Sequence, residues 1–377
     1  MRLFLIGNIG SFNLGDDAIL VAFIKYFDTL LDSTRDVYVY SKNNYIVNNF
    51  GSFSKIKAHL VSRIGILRAF VKSHFIIICG GDYLDDFGSL ITRLRAFLIM
   101  FSIAFVSRFS FKKFCMINNG FRANSTIGLS FQKIILKLAD RVSARDEFSY
   151  RLISEHKHPT EKGFDTAVLW QDFIFFRKKE SIFSIDKKIK VGLSISPVYL
   201  NFFSDPSKDL QIAKEMVAGL KRVLSERSNI ELYFLAFNTS RNSGDLYLIR
   251  NMINMIGPFF KKRIKVIAYD GKIYDFLQYF YRLNFIVCCK YHSILLSYLF
   301  EKPMIVLCFH PKNFALVNDI KLPKKSLCSP SDILNGRFYS ILIELLNDFN
   351  GFKAEYSTYE AKKRAIAGIL HCIKNVV

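Results

Sequence analysis

Residues Asn284–Asp319 read NFIVCCKYHSILLSYLFEKPMIVLCFHPKNFALVND, and this stretch decides the fold. A short apolar run, Phe285–Cys289, meets Lys290, Tyr291 and His292, and an apolar helical run, Ile294–Phe300, follows. Glu301, Lys302 and Pro303 break the helix. A second strand-like run, Met304–Phe309, then leads to His310, Pro311 and Lys312, which open another helix. Strand, helix, strand at this length is a βαβ unit, whose strands are parallel neighbours. Lys290, His292, His310 and Lys312 are therefore expected to leave the carboxyl ends of adjacent strands. That is the edge where open α/β sheets bind ligands, beside helix N-termini that attract anions. Two ammonium groups and two imidazoles gathered there describe a site for a small acidic ligand. Taken singly, each has a plainer reading: a histidine after a strand is commonly a hydrogen-bonded structural residue, and Lys312 suits a solvated helix start. The shared edge is what favours function.

The chain has 377 residues, enough for two domains with a core each. It is 51% hydrophobic and 23% charged, the composition of a folded globular protein. Its formal charge of +21 suits anionic partners: nucleic acid, acidic lipid headgroups, or phosphorylated and carboxylated substrates. Lys and Arg are scattered over helix faces, and neither zinc-finger spacing nor an aromatic RNP signature occurs, so nucleic acid is not an expected partner. No His/Cys/Asp cluster has metal-ligand spacing, and no metal or cofactor is expected. Seven Cys form no disulfide framework, and Cys79, Cys288, Cys289 and Cys308 sit in apolar strand runs, as buried thiols of a reducing compartment do. The opening MRLFLIGNIG is too short an apolar run for a signal peptide. The longest apolar run, Ala96–Ser107 between Arg95 and Arg108, falls short of the roughly 18 residues a membrane span needs. It reads as a buried domain helix, with a helix lying on a membrane surface as the alternative. The expected location is the cytoplasm, with peripheral contact to the inner, anionic face of the cell membrane.

Toward the N-terminus, strand Arg2–Ile6 runs into the loop Gly7–Gly15 (GNIGSFNLG), and Asp16 and Asp17 open an amphipathic helix, Ala18–Leu31. Acids at a helix start are good capping chemistry, which is the plain reading of that pair. The loop is too long for GxGxxG, and its acids would repel a pyrophosphate, so a dinucleotide site is rejected. Asn13, Gly15, Asp16 and Asp17 suit a hydroxyl-rich ligand such as a sugar better. Strand Phe75–Cys79 ends in Gly80 and Gly81, where backbone or ligand can approach closely, with Asp86 near the next helix. Strand Arg141–Ala144 delivers Arg145 and Asp146 to a helix start, where a guanidinium can grip a carboxylate or phosphate, or form a structural ion pair. Periodicity fades toward Lys188, and a second αβ series begins at Lys190. The expected organisation is an N-terminal α/β domain over 1–175, a linker over 176–188, a C-terminal α/β domain over 189–349 and a C-terminal helix over 350–377. Two tandem Rossmann-like parallel-sheet domains facing across a cleft are the GT-B architecture.

Four stretches, in order, resemble the polysaccharide pyruvyl transferase family. GNIGSFNLGDDAIL looks like its strand–loop–Gly–Asp–helix opening, and CGGDYLDD like its Gly-rich loop, with Asp82 where a third Gly is usual. SARDEFSYRL looks like its Arg–Asp–x–x–Ser segment, and KYHSILLSYLFEKPMIVLCFHPKNFAL like its basic–x–His strand end with a Lys one βαβ step later. The resemblance implies phosphoenolpyruvate as donor and a saccharide or lipid-linked oligosaccharide as acceptor. It implies Arg145, His292 and Lys312 as catalytic donor-site residues, with Lys290, Ser293 and His310 beside them. It places Asn13, Gly15, Asp16, Asp17, Gly80, Gly81 and Asp86 on the acceptor side. Lys290 stands where many members have Arg; it keeps the charge and loses the planar fork. A GT-B glycosyltransferase using a nucleotide sugar, and an inactive sugar-binding homologue, are the competing expectations.

Overall fold

The computed structural model describes residues 2–49, 55–85, 90–123, 125–173, 188–240 and 244–374. The chain divides into two compact units, Met1–Phe173 with Thr358–Val377, and Ile174–Ser357. Each is built on a parallel sheet.

In the first unit the strands are β1 (Arg2–Ile6), β2 (Arg35–Tyr40), β3 (Ile56–Val61), β4 (Phe75–Cys79), β5 (Asp82–Asp85), β6 (Lys113–Arg122), β7 (Arg141–Ala144) and β8 (Thr160–Lys162). They lie in the order β3-β2-β1-β4-β6-β7-β8, with β5 pairing the end of β6. The helices are α1 (Leu14–Leu30), α2 (Ile66–Lys72), α3 (Leu90–Phe109), α4 (Thr126–Leu138), α5 (Glu147–Glu155) and α6 (Trp170–Phe173). Side chains alternate across the sheet. Phe4, Ile76, Ile78, Phe114 and Met116 form one core with Ala69 of α2, Phe97 and Met100 of α3 and Ile135 of α4. Cys115, between Phe114 and Met116, instead meets the carbonyl of Cys372 on α15 (Thr358–Ile373). That last helix is tied down further by Asn118 Nδ2 donating to the Ala365 carbonyl (3.1 Å) and Arg141 to the His371 carbonyl (2.7 Å).

In the second unit β9 (Ile189–Ser194), β10 (Ile230–Ala236), β11 (Ile264–Ala268), β12 (Phe285–Cys288), β13 (Met304–Leu307) and β14 (Leu327–Cys328) lie in the order β11-β10-β9-β12-β13-β14. Its helices are α7 (Val198–Phe203), α8 (Pro206–Glu226), α9 (Leu246–Ile256), α10 (Ile273–Tyr281), α11 (Tyr291–Leu299), α12 (Pro311–Asp319), α13 (Pro330–Leu334) and α14 (Arg337–Asn347). The runs FIVC and MIVL are buried throughout and pair in parallel, Ile286 opposite Met304. Unbroken apolar strands are what a parallel sheet covered by helices on both faces requires.

Several local expectations are corrected. Strand β3, whose alternation spans only six residues, and the three-residue β8, which has no apolar residue, were not expected from the sequence. The sequence places a strand near Phe114–Ile117; β6 runs on to Arg122 because β5 pairs with its far end, Asp82 opposite Gly120. Helix α1 begins at Leu14 and its cap is Asn13, whose side chain accepts from the Gly15 N–H; Asp16 and Asp17 lie within the first turn. The run Ala96–Ser107 belongs to α3, which buries one face only. Among the described residues no helix is long and apolar enough to cross a membrane. The linker expected at 176–188 lies, except for Lys188, outside the described residues, as does Asp86.

Candidate functional site

In the second sheet the strand order reverses between β9 and β12, and the loops after β12 and β13 emerge side by side at the carboxyl edge. Such a reversal opens a crevice for ligands. Lys290 is the N-cap residue of α11, and His292 lies in its first turn, half-buried, with its ring edge-on to Tyr291 at 5.2 Å. Ser293 is buried, and its hydroxyl donates to the Lys290 carbonyl (2.6 Å), which tightens the turn. After β13, His310 caps α12: its Nδ1 accepts from the Lys312 N–H (3.2 Å). Its ring packs edge-on against Phe202 at 5.4 Å. Lys312 is half-buried in the first turn of α12. Asn313 holds the two loops together, its Nδ2 donating to the carbonyls of Cys289 (2.9 Å) and Leu307 (3.4 Å). The edge therefore brings the four expected side chains onto neighbouring loops.

Lys290 does not stand as a bare cation. Its Nζ lies 2.9 Å from Oδ1 of Asp245, which is fully buried after β10 and accepts the Asn238 N–H (2.9 Å) through its other oxygen. Burial pushes the Asp245 carboxyl above its ordinary range, and the Lys290 charge opposes the rise. Beside Asp245 a hollow of about 550 Å³ opens at the mouth of β10, lined by Thr239, Ser240, Tyr247 and Arg250 among others. Asp245 and Asn313 were missed in the sequence. The signal for Asp245 was there: Gly244–Asp245, at the start of a helix that follows a strand, repeats the Gly15–Asp16 pair in the first turn of α1.

The first sheet reverses between β1 and β4, so the Gly7–Gly15 loop and the Gly80–Gly81 turn are neighbours at its carboxyl edge. Asp17 is buried and closes the long loop, accepting the Gly10 N–H (3.0 Å) and the Tyr45 hydroxyl (2.7 Å). Burial and the Asp17 carboxylate push the Tyr45 phenol well up, so it stays protonated as that donor. Asp16 is half-buried and accepts from the side-chain amides of Asn8 (2.9 Å) and Asn13 (2.8 Å). Of the two acids, then, Asp16 has the solvent access an acceptor would need. Gly80 sits at φ +63°, and a Cβ there would lie 2.7 Å from the Ile19 side chain; its carbonyl accepts from Asn119 Nδ2 (2.5 Å).

Arg145, 2% exposed, is surrounded by carboxylates of its own domain. Nη2 donates to Asp82 (2.5 Å), while Asp165 and Asp146 lie 3.6 and 3.7 Å away. Arg122 adds a second buried guanidinium, bonded to Asp146 and 3.5 Å from Asp82. Burial pushes the Asp165 carboxyl up to about 6 against the pull of Arg145. Asp82 and Asp146 thus both bridge the two arginines.

A model of the polysaccharide pyruvyl transferase family matches residues 13–307. The chain belongs to that family. In this pyruvyl transferase family member the match opens at Asn13, the cap of α1, and closes at Leu307, the end of β13. It takes in Arg145, Lys290 and His292 and stops before His310 and Lys312. None of the proteins of curated function matches it. Among solved structures, the S. aureus protein MnaA solved with UDP superposes at TM-score 0.68 and 12% identity, covering 100% of this chain and 96% of that one. The UDP-GlcNAc 2-epimerase of Neisseria meningitidis, bound to UDP-GlcNAc, gives 0.63 at 13% identity, with 100% of both chains covered. The E. coli trehalose-6-phosphate structure with UDP-2-fluoro glucose gives 0.50 at 10% identity, over 100% of this chain and 96% of that one. These likenesses establish that the pyruvyl transferase family member has a GT-B-type fold of two parallel-sheet domains.

Proposed function

We propose that this protein moves pyruvate from phosphoenolpyruvate onto two hydroxyls of one sugar, in a cell-surface polysaccharide or its lipid-linked precursor, as a ketal. The observation that carries the reading is the carboxyl edge of the second sheet. There, Lys290, His292, His310 and Lys312 occupy two adjacent loops joined by Asn313, at the N-termini of α11 and α12. Phosphoenolpyruvate carries a carboxylate and a phosphate, and cations beside helix N-termini are the groups that hold such charge.

Ketal formation begins with a proton added to the enol methylene, which becomes a methyl group and leaves an oxocarbenium-like carbon. One sugar hydroxyl attacks that carbon, and a second then displaces inorganic phosphate. The two hydroxyl protons balance the new methyl hydrogen and the proton on phosphate. Imidazole ordinarily titrates near neutrality, so His292 is assigned as proton donor, and Lys312 neutralises the departing phosphate. Lys290, pinned by Asp245, supplies a point charge in a set direction to the donor carboxylate, with Ser293 and His310 shaping the loops around it. Asp16 orients acceptor hydroxyls, with Asn13, Gly15, Gly80 and Gly81 keeping the backbone close; Asp17 and Arg145 act by holding those loops in place.

Incubation with phosphoenolpyruvate and a panel of glycans, following phosphate release and a pyruvate-sized mass gain on the glycan, tests the reading. Thermal stabilisation by UDP or CDP and none by phosphoenolpyruvate would overturn it in favour of a nucleotide-sugar enzyme.

A further inference from the structure

Helix α3 has two apolar stripes. One, through Phe97, Met100 and Ala104, is in the core. The other runs through Ile91, Leu94, Leu98, Phe105 and Phe109, spaced at helical intervals, and faces solvent, from 80% exposure at Ile91 to 67% at Phe109. Over the 20 residues of the helix this stripe extends roughly 30 Å. Neighbouring helices widen it. Phe131 of α4 stacks on Phe97 at 3.8 Å, which sets the exposed Ile134 beside α3. On the other side Lys112 donates to the Val71 carbonyl (3.1 Å) and lies over the Phe70 ring at 5.4 Å, which sets the exposed Leu67 and Val71 of α2 beside its C-terminal end. Phe111, 97% exposed, continues the patch beyond α3. Scattered exposed apolar residues need no explanation, but a continuous strip of this length on one domain does.

The charge carried by the three helices has one sign. Helices α2, α3 and α4 carry Arg68, Lys72, Arg93, Arg95, Lys133 and Lys137, and not one Asp or Glu. Arg108 and Lys113, at the far end, share the carboxylate of Asp140 (4.0 and 3.1 Å). A second copy seated on this face would set like charge against like charge, which disfavours self-association there.

We propose that the face formed by α2, α3 and α4 docks on the surface of an anionic phospholipid bilayer, with the α3 stripe sunk into the headgroup boundary and the basic residues on the lipid phosphates. An apolar helix face bordered by Lys and Arg is the chemistry that binds such a surface without crossing it. The proposal is independent of the donor chemistry above and stands if that chemistry fails. It places the first domain's acceptor edge on a membrane-bound molecule, where a lipid-linked acceptor would be found.

The test is co-sedimentation of the full chain with vesicles of mixed phosphatidylglycerol and phosphatidylcholine, and of phosphatidylcholine alone, at low and high salt. Binding is expected on the anionic vesicles only, weakening as salt rises. The double variant Leu98→Ser/Phe105→Ser should lose it at least about ten-fold, and Arg95→Glu/Lys133→Glu by more, since each basic residue at the surface contributes about five-fold. Lys214→Glu, an exposed position on α8 of the second unit, should leave binding within about two-fold; thermal melting checks that every variant is folded. Absence of vesicle binding by the folded chain overturns the proposal. So does binding that survives the double variants, or a dimer in solution that Leu98→Ser/Phe105→Ser dissociates.

Discussion

The two sheets present opposite chemistry at equivalent edges. At the first, both guanidiniums are buried and answered by carboxylates: Arg145 by Asp82, Asp146 and Asp165, and Arg122 by Asp82 and Asp146. At the second, two ammonium groups and two imidazoles share the edge with a buried carboxylate, Asp245, that pairs with Lys290. An Arg whose charge is already met inside the fold has little to offer an incoming anion, and removing it strands the buried acids. Cations at helix starts with solvent access keep that capacity. The comparison teaches that a strand-end arginine and a strand-end lysine, alike in sequence, differ in how many carboxylates the fold packs around them: among the described residues, three for Arg145 and one for Lys290.

The largest effect that would sharpen this contrast is at His292. His292→Ala should lower phosphate release from phosphoenolpyruvate by about 10²–10⁴-fold with thermal melting unchanged, as loss of a general acid does. Arg145→Met should act on stability instead, costing about 3–5 kcal/mol in denaturant unfolding because Asp165 loses its counter-charge and Asp82 and Asp146 are left with Arg122. A stable Arg145→Met protein with a raised KM for phosphoenolpyruvate would break the comparison by showing the guanidinium on the donor.

A smaller effect follows from Asp165, whose carboxyl is raised to about 6 by burial. A folded pKa above the unfolded one means the native state holds its proton more tightly. The stabilisation is therefore complete below about pH 4 and is lost as pH rises through about 6, a change on the order of 3 kcal/mol. Unfolding measured across that window should show the fall in the parent protein and a flatter profile in Asp165→Asn. The smallest effect is at Asn13: Asn13→Ala removes the α1 cap and should cost about 1 kcal/mol, read as a shift in the denaturant midpoint.

Much of this was legible in the residues. The βαβ unit at Asn284–Asp319 announced itself because buried parallel strands need unbroken aliphatic runs, and FIVC and MIVL supply them on either side of an apolar helix. The loop residues Lys290, His292, His310 and Lys312 followed from topology alone, since parallel neighbours release their loops at one edge. Strands β3 and β8 were not read from the sequence: IKAHLV alternates over only six residues, TEK has no apolar residue at all, and both become strands by pairing with β2 and β7. The outer face of α3 was legible only as an alternative reading of Ala96–Ser107, because a buried helix and one with a second exposed stripe have the same apolar composition.

By itself the sequence determined the αβ alternation, the two-domain organisation, the strand-end positions of the charged residues and the family. Only the tertiary structure decided which of those charges meet. Arg145 and Asp82 lie 63 residues apart and come together because β7 and β5 both border β6. Lys290 and Asp245 meet because the loops after β12 and β10 flank β9. Chain periodicity reports on local backbone and burial, whereas ion pairing depends on which strand ends become neighbours, and strand order is set by the packing of the whole sheet.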